Sequence, residues 1–388
     1  MLKKTGRFPI AFIAALAVAA PLSGACAQAA VTFASAKPGD IVTLPAELFS
    51  APTVQREITP SLDQSQLLLS DNPESVTADG ILLRETVKPG NVRVYLYNVI
   101  SGPAPKAVPI AVTNVSSDTL SLQFSRCART APGTDYNRAA QKVMYDLLAG
   151  TPKKCDDIAL APGASALLDP ELQSVSVSSD QLTHGIYEFS VDTPARITVF
   201  AHELGKKSLE VLPSLPVLPR NETGAGRGLF PVSNFVVGLG RPYSTLDGPR
   251  ALVLADGKDD PWLKGTDSLS SAQLVNDGNY GAMYKITVPY ATPDGRGFVV
   301  ALANPRSPDK YCTYLTAAMT VSSRQGYFDD ATVALPAIGG DMLAAPPHAA
   351  IIAIVPPLPL GKIAGTLNLL YSPPGAACLP DPIIFIPI

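Results

Sequence analysis

The sequence predicts an all-β protein with one helical insertion, built as two tandem antiparallel β-sandwich, Ig-like domains. Three observations point there. The 388-residue chain is 46% hydrophobic and only 16% charged yet holds 38 prolines, which is too apolar for disorder and too proline-rich for a helical bundle. Short runs of alternating polarity recur roughly every ten residues with turn residues between them. One pair of strands is also spelled twice: Asn91–Val99 returns as Val108–Ser117, and Met283–Tyr290 returns as Phe298–Ser307. Ile110-Ala-Val-Thr-Asn-x-x-Ser in the first copy is answered by Val300-Ala-Leu-Ala-Asn-x-x-Ser in the second. Each pair reads as a hairpin, with Asn114 and Asn304 managing the turn that follows.

In chain order, residues 1–29 read as a signal peptide. Lys3, Lys4 and Arg7 precede the apolar run Phe8–Leu22, and small residues offer cleavage after Ala27 or Ala29. A lipid anchor at Cys26 is the rival reading. Loss of the three basic residues takes the net charge from −3 to −6, and an acidic chain with no basic cluster lacks the footprint of a nucleic-acid binder. The first sandwich is expected over residues 30–212. Its strands include Ile41–Leu44, Gln66–Leu69, Ile81–Val87 and Thr119–Ser125, then Gly185–Asp192 and Ala195–His202 as a second hairpin, and Lys207–Leu212 as a last strand. The helical insertion is Asp135–Ala149, with Tyr136, Ala140, Val143 and Leu147 on one stripe, Thr134 or Asp135 as cap, and Gly150 as stop. Three prolines and a glycine-rich run make 213–228 a linker. The second sandwich follows over 229–388, with an irregular polar stretch at 257–278. Prolines through the apolar tail exclude a membrane-spanning helix after signal cleavage.

Four cysteines remain after cleavage, two in each half, and the preferred pairing is Cys127–Cys155 and Cys312–Cys378. His184, His202 and His348 are too scattered for a metal pair and read as strand-end or surface residues. Gly224–Gly228 and Gly238–Gly240 lack the strand-to-helix context of a phosphate loop. The Asp256–Asp260 loop could supply two or three hard oxygens to a cation, although its spacing is not that of a calcium loop. Trp262, the single tryptophan, reads as a packing residue.

Leu69-Ser-Asp-Asn-Pro-Glu74, Pro132-Gly-Thr-Asp-Tyr136, Asn279-Tyr280-Gly281-x-Met-Tyr284 and the return Ala301-x-Ala-Asn-Pro305 resemble segments of a family of exported bacterial β-sandwich proteins. Some members carry a copper-amine-oxidase N-terminal-like module. The resemblance does not imply an oxidase. The cofactor tyrosine of such enzymes lies in Thr-x-x-Asn-Tyr-Asp/Glu, whereas here Asn276 and Gly281 flank Asn279-Tyr280, and the copper histidines are missing. The expectation is therefore an exported, non-catalytic, envelope-associated binding or structural protein, without cofactor or metal, whose partner is an envelope protein or glycan. The alternative is a glycan-acting hydrolase whose carboxylates meet only in the fold.

Overall fold

The computed structural model describes residues 33, 35–150, 155–220, 226–303, 315–338 and 348–388. Strands dominate, and they form four sheets that pack as sandwiches. A nine-stranded sheet runs Ile158–Leu160, Leu120–Arg129, Gln181–Val191, Gly90–Ile100, Ser65–Asp71, Gly226–Phe230, Leu263–Asp267 and Ala272–Asn276, with Ser75–Val76 beside Gly90–Ile100. Facing it is a five-stranded sheet of Ser165–Leu167, Ile110–Asn114, Ala195–Glu203 and Gly80–Val87, with Lys106–Ala107 alongside. Leu68, Val92, Val94 and Leu96 of the larger sheet meet Ile110, Val112, Ile197 and Val199 of the smaller in one core.

The second sandwich repeats this plan. Its seven-stranded sheet runs Arg56–Pro60, Asn234–Leu239, Met283–Ala291, Gly365–Tyr371, Leu315–Ser323 and Ala331–Ile338, with Tyr243–Ser244 alongside. Its five-stranded sheet runs Ile41–Thr43, His348–Val355, Phe298–Ala303, Asp381–Pro387 and Arg250–Leu254. Strand pairing is antiparallel except at equivalent places: Ser65–Asp71 and Ser75–Val76 lie parallel to Gly90–Ile100, as Asn234–Leu239 and Tyr243–Ser244 do to Met283–Ala291.

The repeated strand pairs are not hairpins. Gly90–Ile100 and Ile110–Asn114 lie in opposite sheets of one sandwich, as do Met283–Ala291 and Phe298–Ala303. The same is true of Gln181–Val191 and Ala195–Glu203. Alternation fixes which side chains face the core but not which sheet a strand joins, so an arch between sheets and a hairpin have the same spelling. Asn114 does manage its turn, donating to Asp118 O and Leu160 O and accepting from Ser116 N. Asn304 lies outside the described residues.

The halves also exchange leading segments. The arm ahead of the first sandwich lies on the second: Ile41–Thr43 extends its smaller sheet, Thr53 bridges Ala251, and Arg56–Pro60 pairs with Asn234–Leu239. The arm ahead of the second lies on the first: Val217 bridges Ile81, and Gly226–Phe230 pairs with Ser65–Asp71. Each arm also covers an outer sheet face. Phe33, Leu44 and Leu48 pack on Val299, Ala301 and Ile384, whereas Leu212 and Leu215 pack on Ile81, Ala111 and Phe200. The segment 213–228 expected as a linker therefore contains pairing residues, and residues 33–60 of the expected first domain lie against the second.

Where the arms cross, Arg93 donates to Glu188 at 2.7 Å, to Gly281 O at 2.9 Å and to Asn234 at 3.0 Å. The helix α1, Tyr136–Ala149, is a second tie. Asp135 caps it by accepting from Arg138 N, and Gly150 ends it in the left-handed region. Its buried stripe packs on strands of both sandwiches, Gln181–Val191 on one side and Leu315–Ser323 on the other.

Lys207–Leu212, expected as a strand, is instead a helical turn at Ser208–Val211 followed by a 3-10 turn at Leu212–Ser214. The stretch 257–278, expected to be irregular, contains the hairpin Leu263–Asp267 and Ala272–Asn276. Cys127 and Cys155 are joined as expected, bracketing the helix. Cys378 is disulfide-bonded, and Cys312, the partner expected for it, lies outside the described residues. The signal segment 1–29 and Cys26 lie outside them too. Among the described residues no helix is long and apolar enough to cross a membrane.

Candidate functional site

Three of the four stretches that carry the resemblance are far apart in the chain, and the fold brings them together where the sandwiches meet; the fourth, 301–305, begins in the smaller sheet of the second sandwich and runs out of the described residues. Tyr97 lies at the centre. It projects from Gly90–Ile100 on the face turned toward the second sandwich and is 5% exposed. Burial first, then the charges of Asp71 and Glu74, then the phenols of Tyr280 and Tyr136, push its phenol up. Tyr280 has a matching environment: burial, then Asp71, Asp381, Asp277 and Glu74, push it up as well.

Each residue is held by local structure. Asp71 ends its strand, and the turn after it is tied down by Asn98, which donates to Pro73 O at 2.9 Å and accepts from Ser70 at 2.9 Å. Val99 N bonds Glu74 O at 2.7 Å, fixing the Glu74 backbone beside the Tyr97 strand. Tyr280 is clamped by Asn276, which accepts from Tyr280 N at 3.0 Å and donates to Tyr280 O at 2.8 Å. Its hydroxyl donates to Ala377 O at 3.0 Å. Tyr136 opens α1 and donates to Asp180 O at 2.9 Å. Glu74, Tyr136 and Tyr280 keep part of their surface in solvent, and burial raises the Glu74 carboxyl. The close approach of the two sandwiches needs glycine: a Cβ on Gly375 would lie 2.3 Å from the Tyr97 ring, and Gly281, at φ +76°, lies against Leu67 and Tyr95.

Beneath this cluster His184 is 1% exposed between the rings of Tyr95 and Tyr97, which corrects the expectation of a strand-end or surface histidine. Nδ1 meets Leu96 O at 2.7 Å, Nε2 has no partner, and burial lowers the imidazole to about 4. His202 is also buried, between Glu203 O and Ser208 Oγ, whereas His348 stands at a strand start near Thr43. Deeper in the second sandwich, the hydroxyls of Tyr284 and Tyr371 donate to Asp260 and Asp381. Burial pushes Asp381 up to about 8 and raises Asp260.

The Asp256–Asp260 loop has a structural occupant. Asp256 accepts from Arg56 at 3.1 Å and from the amides of Lys258 and Asp260, while Asp259 lies 3.8 Å from Arg56. Asp260 accepts from Ala255 N and Tyr284. No group of three or more potential ligands suited to a metal occurs among the described residues. Trp262 closes over Gly257, where a Cβ would lie 2.4 Å away, and so packs as expected.

A second gathering of acids lines a cavity of about 420 Å³ beside the Cys127–Cys155 bridge: Asp156, Asp157, Asp169 and Glu171. Asp169 and Glu171 are both bonded to Arg129, and Asp157 accepts from Phe124 N.

Sequence reasoning treated the junction residues as structural. The signal that could have found them was the shared company of Asp71, Glu74, Tyr136 and Tyr280 in the resembling segments; Tyr97 had none beyond strand alternation.

No protein-family model matches the chain, and no curated protein matches it. Among solved structures, the CUB1-EGF-CUB2 domains of rat MASP-1 align at 7% identity with a TM-score of 0.12, covering 76% of this chain and 98% of that one. Vicilin from hazelnut, Corylus avellana, aligns at 9% identity with a TM-score of 0.11, covering 81% and 86%. Neither likeness carries an argument about fold or function.

Proposed function

We infer that this is an exported, envelope-associated binding protein, and that the junction cluster takes a hydroxyl-rich ligand such as an envelope glycan. The observation that carries this is the convergence of Tyr97, Tyr136 and Tyr280 with Asp71 and Glu74 between two sandwiches. Aromatic faces stack on sugar rings, and carboxylates accept from their hydroxyls. The Cys127–Cys155 bridge belongs to a non-reducing compartment, which supports export. The test is retention of the protein on immobilised cell-envelope polysaccharide, compared with Tyr136→Ala and Glu74→Gln. Wild-type retention with loss of roughly tenfold or more in either variant is expected, since each removes a stacking face or a charged acceptor. Equal retention of all three proteins defeats the reading.

One observation favours the second reading, a glycan-acting hydrolase. Glu74 has a carboxyl raised by burial and shares the neighbourhood of Tyr97 and Tyr280 with Asp71, a pairing suited to a proton donor and a base on one site. New reducing ends released from the same polysaccharide, and abolished by Glu74→Gln, separate it from binding alone.

A further inference from the structure

The arm that covers the second sandwich roofs two adjoining cavities, of about 460 and 290 Å³, which share Asp247 and Arg250. The arm contributes Leu48, Ala51 and Pro52 to the larger, with the acidic Glu47 also in its wall, and Thr53, Val54 and Gln55 to the smaller; Pro249, Ile386 and Pro387 of the sandwich also line the larger. Three guanidinium groups line this space. Arg241 is paired with Asp247 at 2.8 Å and Arg296 with Asp294 at 2.6 Å. Arg250 stands differently. It is half-buried, lines both cavities, and among the described residues donates only to the carbonyl of its own neighbour Pro249 at 3.0 Å, leaving most of its planar N–H fork unused there. Arg250 and Asp247 are near enough to interact, but no ion pair joins them.

An arginine fork with unspent donors, at the meeting of a mostly apolar cavity with a polar one that holds Thr53, Gln55 and Arg241, is complementary to a carboxylate with a hydrocarbon tail. The prolines in the walls offer no backbone N–H, so a peptide would find few ladder partners, whereas an acyl chain needs none. We propose that the groove beneath the arm binds an acyl monocarboxylate, its carboxylate on Arg250 and its tail along Leu48, Ala51 and Ile386. Leu246, 68% exposed at the lip of the larger cavity, gives the tail its outer contact. This site is independent of the Tyr97 junction, and the exchanged arm supplies eight of its nineteen wall residues.

The test is titration calorimetry of the full chain with sodium octanoate at neutral pH, with octanamide and the Arg250→Gln variant alongside. Octanoate binding is expected, with octanamide and Arg250→Gln each weaker by about tenfold or more, the scale of one charge-assisted contact. Equal affinity for octanamide, or unchanged affinity in Arg250→Gln, overturns the proposal, as does no binding of octanoate at millimolar concentration. Should Arg250→Gln fail to fold, Leu246→Glu on the exposed lip repels the carboxylate and is expected to weaken binding. Unchanged affinity in that folded variant overturns the proposal equally.

Discussion

In the first sandwich and the sheet it shares with the exchanged arm, the buried acids Glu188 and Asp267 lie beside guanidinium groups; in the second sandwich, Asp260 and Asp381 lie beside phenols. The difference decides which protonation state each of these four acids prefers. For Glu188, burial raises the carboxyl, but Arg93 and Arg126 more than reverse it and hold it below the usual range. For Asp267, burial is likewise outweighed, by Ser270 and Arg227. A phenol is a neutral donor and cannot do this, so burial wins at Asp260 and Asp381. Acid therefore acts against the Glu188 and Asp267 pairs: their stability is present above the ordinary carboxylate pKa and lost as pH falls through their lowered values. Alkali acts against Asp381: stability from it is complete below its ordinary value and lost as pH rises through about 8.

The largest effect is expected at Asp267. Arg227 and Asp267 are 2% and 1% exposed, so Asp267→Ala leaves an uncompensated buried guanidinium. Urea unfolding should show a loss of about 3–5 kcal/mol, and a change below about 1 kcal/mol would mean that the pair does not hold the second arm in its sheet. Next comes Asp381→Asn. It keeps a partner for Tyr371 and removes a charge that burial opposes, so the melting temperature should rise at pH 8, on the order of 2 kcal/mol in stability. The gain should shrink to nothing toward pH 4; a gain independent of pH breaks the proposed contrast between the two kinds of partner. The smallest effect is Arg56→Ala. Arg56 is the counterpart of Arg227 on the other arm, but it lies on an edge strand and its Nε has no acceptor. A loss of about 1 kcal/mol, reduced by molar salt, is expected in the same urea experiment; a loss equal to that of Asp267→Ala would make the two arm joints energetically alike.

What the sequence revealed follows from what is local. The helix at Asp135–Ala149 was legible to within a residue because cap, stripe and stop all lie inside one segment. Most strands were legible for the same reason, and the Cys127–Cys155 bridge followed from the even division of cysteines. The hairpin Leu263–Asp267 and Ala272–Asn276 was hidden because three of its inward positions, Gly265, Asp267 and Asn276, are not apolar. Gly265 must be small, since a Cβ would lie 2.5 Å from Leu229 O, and Asp267 is committed to Arg227. The exchange of arms had no local signature, because nothing in Arg56–Pro60 or Gly226–Phe230 names a partner strand in the other half. The junction cluster was half legible: its segments were visible as shared spelling, but their convergence depends on how the sandwiches dock through Arg93, Gly281 and Gly375.

The reciprocal arms also set an order of events. Ribosomes release the arm at Ile41–Thr43 first, yet its seat is Ala349 and its neighbours; Thr43 touches His348, 305 positions later. Leu44 and Leu48 must wait for Ile384 and Ile386, near the end of the chain. The first sandwich receives its own arm as soon as Gly226–Phe230 has emerged. One half can thus close during synthesis while the other stays open until the final strand arrives, and a prematurely terminated chain leaves an apolar segment with nowhere to settle.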